Sequence, residues 1–81
     1  MQNWGTTMTV YRIRLTDGTT QTLNVARMVA GQEELLFQSS LNGGWHTSQS
    51  WQRHRVEAVR RRITEVDGSW QWIPVPLEGD D

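Results

Sequence analysis

Three turn signals constrain this chain more than any other feature: Asp17-Gly18, Asn42-Gly43-Gly44 and Asp67-Gly68. Each falls between two apolar runs. Asp-Gly and Asn-Gly suit type I′ hairpin turns, because both central residues of that turn need φ > 0. A chain punctuated in this way reads as antiparallel hairpins.

The flanking runs agree. In "MTVYRIRLT" Val10, Arg12 and Arg14 share one face, and Tyr11, Ile13 and Leu15 share the other. Val, Ile, Thr and Tyr favour a pleated, half-buried surface. "TTQTLNV" follows Asp17-Gly18 as the second strand, and "ARMVAGQEE" reads as its continuation up to a turn at Gly31. "ELLFQSS" is the third strand and "WHTSQSW" the fourth, where strict alternation puts Trp45, Thr47, Gln49 and Trp51 on one face.

Residues 53–66 carry two readings. As a helix, Val56, Val59, Ile63 and Val66 form an apolar stripe, with Ser50 as N-cap and Gly68 near the C-terminus. As a strand, Val59, Arg61 and Ile63 alternate with Arg60, Arg62 and Thr64. A two-residue turn at Asp67-Gly68 would set Ile63 opposite Trp72 and collect Ile63, Trp70 and Trp72 on one apolar face, with Trp70 and Trp72 in the core. That coherence favours the strand. Downstream, Pro74 and Pro76 lack N–H donors on the same strand edge, so "IPVPL" is an edge strand or a polyproline-like segment whose unblocked side is open to a partner strand.

The expected fold is therefore all-β: a small SH3-like barrel or a strongly twisted antiparallel sheet of four to six strands, with an α+β fold carrying a helix near 51–66 as the alternative. The resemblance to small SH3-like barrels is one of strand layout; no family motif accompanies it. Residues 1–77 form one small domain, and the acidic residues 78–81 read as a disordered tail. Trp4 precedes the first strand and reads as a lid or an exposed ring. A chain of 81 residues has a thin core, and five tryptophans partly compensate for a 36% hydrophobic content. Thin cores favour self-association.

Several classes are excluded. There is no cysteine, hence no disulfide and no thiolate chemistry. No basic–apolar leader opens the sequence and no apolar run is long enough to span a bilayer, so a cytoplasmic protein is expected. His46 and His54 have no third ligand at metal spacing, so no metal and no cofactor are expected. Glu33 and Glu34 are adjacent and would point to opposite faces of a strand. No nucleophile elbow, phosphate loop or dinucleotide fingerprint occurs. The expectation is a protein without catalytic residues.

All eight cations are arginine, and five of them lie in "WQRHRVEAVRRR" (51–62) against Glu57 alone. A GC-rich coding sequence and a solvated strand face account for that without any ligand. Tryptophan and arginine are nevertheless enriched at protein-interface hot spots. Trp45, Trp51, Arg53 and Arg55 are the candidate contacts of a protein-binding or adaptor module whose partner is another protein or a second copy, as an inhibitor or as a subunit of an assembly such as a phage particle. The same residues with Arg60 and Arg62 would serve a nucleic-acid-binding barrel, since arginine bonds phosphate bidentately and tryptophan stacks on bases.

Overall fold

The computed structural model describes residues 8–77. The expectations for Trp4 and the acidic tail lie outside them. Seven strands follow in order: β1 (Thr9–Leu15), β2 (Thr20–Val25), β3 (Arg27–Ala30), β4 (Glu34–Leu41), β5 (Gly44–Gln52), β6 (Val56–Thr64) and β7 (Trp70–Pro74), with a 3-10 turn at Arg53–Arg55. The fold is all-β. No α-helix occurs among the described residues, so the strand reading of the arginine segment holds. None of them forms a helix able to cross a membrane.

The strands form two antiparallel sheets, β2-β1-β6-β7 and β3-β4-β5, which do not close into one barrel. The seventh strand arises where one long second strand was expected. The chain breaks at Ala26, whose N–H donates to the Gln38 carbonyl, and passes into the other sheet as β3. The sheets pack through their apolar faces. Tyr11, Ile13, Leu15, Val25, Val56 and Val59 from one meet Leu35 and Phe37 from the other. Phe37 is fully buried, edge-to-face with Tyr11 at 5.5 Å and with Trp51 at 5.6 Å between centroids. Such pairs contribute about 0.5–1.5 kcal/mol each beyond area burial. Burial pushes the Tyr11 hydroxyl pKa up, against the opposing pull of Arg61 and a backbone hydrogen bond with Met28.

Two of the three expected type I′ turns are a different turn. Asn42 (φ 50°) and Gly43 (φ 82°) do form a two-residue turn of that kind between paired Leu41 and Gly44. At Asp17-Gly18 only the glycine has positive φ, at 92°. The Gly18 N–H donates to the Leu15 carbonyl and the Leu15 N–H to the Thr19 carbonyl, which makes a three-residue loop. The second Asp-Gly repeats this: Gly68 has φ 91°, with matching bonds between Glu65, Gly68 and Ser69. The cause is local. Asp17 Oδ1 accepts from the Thr19 N–H and hydroxyl, and Asp67 Oδ1 from those of Ser69. This closure two residues on is an Asx turn, which leaves the glycine alone with the left-handed conformation.

The extra loop residue shifts the β6–β7 register by one. Ile63 faces Gln71, while Thr64 faces Trp70 and Arg62 faces Trp72. A one-residue slip moves every side chain to the other face. Trp70 and Trp72 therefore leave the expected core position beside Ile63 and stand on the outer face among the arginines, Trp70 half exposed and Trp72 partly so.

Bulges reset two further faces. In β5 the pairing steps from Gln49↔Phe37 to Thr47↔Gln38, leaving Ser48 as the extra residue. Trp51 and Gln49 face inward, whereas Trp45 and Thr47 face outward, so these four residues do not share a face as strict alternation implied. In β6 the pairing steps from Ala58↔Arg14 to Val56↔Leu15, leaving Glu57 as the extra residue.

Candidate nucleic-acid interface

The outer face of the four-stranded sheet gathers four of the molecule's eight arginines. β1 contributes Arg12 and Arg14, because its alternate residues Tyr11, Ile13 and Leu15 are held in the core. β6 contributes Arg60 and Arg62, because Val59 is buried and Ile63 half-buried on the opposite side. Pairing of β1 with β6 sets Arg12 directly opposite Arg60. Like charges so placed destabilise a sheet. β7 adds Trp70 and Trp72.

The cations and rings are stacked. The Arg12 guanidinium carbon lies 4.6 Å from the centroid of the Trp72 ring, and that of Arg62 lies 5.0 Å from Trp70. The two indoles meet edge-to-face at 5.9 Å. Cation–π contacts at such exposed positions contribute about 0.5–1 kcal/mol. Contacts of this kind restrain the long arginine side chains, which lowers the entropy lost when a ligand binds.

Among the described residues the only acid paired on this face is Glu57. The bulge turns its side chain outward, and Arg14 Nε donates to Glu57 Oε1 at 2.9 Å. Both groups are more than half exposed, so the pair contributes about 0–1 kcal/mol at most. Among the described residues Arg12, Arg60 and Arg62 make no ion pair. Beside the bulge lies a shallow depression of about 260 Å³, lined by Arg12, Arg14, Thr20, Ala58 and Arg60. Its floor is small because residue 58 is alanine. Three guanidinium groups and a threonine hydroxyl border it, which suits a phosphate oxygen.

The residues singled out from the sequence are dispersed. Arg60 and Arg62 are in the cluster; Arg61 faces away, opposite Tyr11 and Ile73 on its neighbouring strands. Trp45 lies on the outer face of the three-stranded sheet, 3.6 Å beneath the Arg27 guanidinium, in a row where Arg27 donates to Gln38 and Gln38 to Thr47. Trp51 packs on Phe37 at the core. Arg53 is half-buried and donates to the Gly31 and Leu77 carbonyls, which fastens the C-terminal segment to the β3–β4 connection. Arg55 is exposed in the 3-10 turn, where its positive charge acts on Asp17. The sequence pattern alone does not assign Arg12, Arg14, Trp70 and Trp72 to this face. Arg12 and Arg14 alternate visibly in β1, but only pairing with β6 joins them to Arg60 and Arg62.

Among the described residues no three His, Asp or Glu side chains are grouped to hold a metal ion. No protein-family model, curated protein or solved structure matches the chain.

Proposed function

We propose that this protein is a non-catalytic binding module that engages single-stranded nucleic acid on the outer face of its four-stranded sheet. One observation carries the reading: Arg12, Arg14, Arg60, Arg62, Trp70 and Trp72 share that face, with two of the arginines directly opposite each other. A fold that tolerates this repulsion gains from a polyanion that relieves it. Phosphates would meet the guanidinium groups, and unpaired bases would stack on the indoles and on the flat arginine planes. Duplex bases are already stacked and offer no free faces to the tryptophans. The protein-binding expectation, which rested on the enrichment of tryptophan and arginine at interfaces, stands as the second reading, with its candidate contacts Trp45 and Trp51 on opposite faces of β5.

The test is fluorescence anisotropy with labelled random single- and double-stranded DNA and RNA at about 50 and 200 mM salt. Three arginines without acidic partners imply a slope of about −2 in log affinity against log salt, at ~0.7 per phosphate for single strands. Affinity then falls roughly 20-fold across that range. Absence of binding to any single strand at low salt overturns the proposal.

A further inference from the structure

Among the described residues, two sheets that do not close leave four edge strands: β2, β7, β3 and β5. Three are ill-suited to pairing. The Val75 N–H donates to the Val59 carbonyl, so donors at odd positions aim at β6. Pro74 and Pro76 therefore occupy the donor positions of the outer side, and the open edge of this segment is the blocked one. This corrects the expectation that 69–77 receives a partner strand on its unblocked side, which β6 already occupies. β3 has only four residues, and six-residue β2 bends at Ala26 into the other sheet.

β5 differs. It runs for nine residues, "GWHTSQSWQ", with no proline, arginine, aspartate or glutamate, and Trp51 alone is partly shielded. Exposed edges are normally guarded by brevity, charge, proline or a bulge, and here only the Ser48 bulge is present. That bulge reverses the facing of the strand at its middle. Trp45 and Thr47 face outward before it, and Ser50 and Gln52 face outward after it. A twofold axis at the bulge sets Thr47 against Ser50 of a second copy and Trp45 against its Gln52. His46 meets the second copy's Trp51 on the inner side. Outward residues meet outward residues throughout, because the same bulge stands in both strands.

We infer that the chain self-associates through β5, a second copy pairing antiparallel across that twofold axis and joining the two three-stranded sheets into one of six strands. An isologous contact of this kind closes on itself and stops at the dimer. Uncharged strands bring no like-charge repulsion to it. This inference does not depend on the nucleic-acid reading.

The test is sedimentation equilibrium of the full chain, without nucleic acid, from ~1 μM to ~1 mM, a range that covers dissociation free energies from about 4 to 8 kcal/mol. The expected mass rises from 9.4 kDa towards twice that value. Gln49→Lys/Ser50→Lys, at two exposed positions, should hold the mass at 9.4 kDa with an unchanged circular dichroism spectrum. Val66→Lys, in the distant β6–β7 loop, should associate like the parent. Amide exchange should show concentration-dependent protection within 44–52. A constant monomer mass, association surviving the lysine pair, or protection confined to β2 would each overturn the inference.

Discussion

Reversing the charge of Arg60 should stabilise the protein and weaken the proposed binding of single strands. Arg60 stands directly opposite Arg12, with Arg62 two residues along the same face. Arg60→Glu replaces a like-charged cross-strand pair with an attractive one. Cross-strand charge pairs contribute about 0.2–1 kcal/mol in either direction, so removing one and forming the other gives at most about 2 kcal/mol. Solvent screening at an exposed face reduces this to about 0.5–1 kcal/mol. For a domain of this size the midpoint of thermal unfolding then rises by roughly 2–8 °C. Binding moves the other way. A charge-assisted hydrogen bond contributes about 1.5–3 kcal/mol, so affinity for a single strand falls roughly tenfold to hundredfold at low salt. The salt slope falls by ~0.7. Thermal melts followed by far-ultraviolet circular dichroism, with anisotropy titrations on the same preparations, measure both. A variant less stable than the parent would refute the repulsion argument. A more stable variant with unchanged binding would show that the strain is real but that the face is not the site.

Other positions give independent checks. Trp70→Ala removes a half-exposed ring, so it should cost only about 1 kcal/mol of stability from the lost indole pair, yet weaken single-strand binding by about 1–3 kcal/mol; anisotropy and a urea melt separate the two effects. Phe37→Ala empties the centre of the aromatic row and should cost about 3–5 kcal/mol in urea unfolding, a large share of the ~4–12 kcal/mol expected for this length. The carboxyls of Asp17 and Asp67 are held below their usual value of 3.8, first by the Thr19 and Ser69 hydroxyls and then by the same residues' N–H groups. Because the folded pKa is depressed, the stabilisation is fully present above pH 3.8 and is lost as pH falls through the lower folded values. Thr19→Val/Ser69→Ala should therefore be less stable than the parent at neutral pH, and urea melts should show the gap narrowing towards ~pH 2.

Local residue pattern carried much of the fold. Alternation in "VYRIRL" identified β1 and its buried face, and alternation in 59–64 separated Arg60 and Arg62 from Arg61. Asn42-Gly43 behaved as its residue types demand. One further local signal bears on the register. Both Asp-Gly pairs are followed by a hydroxyl residue, Thr19 or Ser69, and that residue closes the Asx turn which lengthens the loop. The lengthened loop sets the β6–β7 register and moves Trp70 and Trp72 out of the core.

The sequence by itself determined that this chain is a set of short antiparallel strands, where its three glycine turns fall, and which side chains alternate between bulges. Those properties arise from φ/ψ preferences and a period of two, both confined to a few neighbouring residues. Tertiary structure alone decided which strands lie side by side and in what register. Packing Tyr11, Ile13 and Val59 onto Leu35 and Phe37 brought β1 against β6, so that Arg12 and Arg14 joined Arg60 and Arg62 across more than forty residues of chain. The bulges at Ser48 and Glu57 then separated Trp45 from Trp51 and turned a carboxylate towards Arg14. A bulge lets one strand of a twisted pair hold its inward side chains in a shared core, and that demand comes from the facing sheet, which no local stretch of sequence contains.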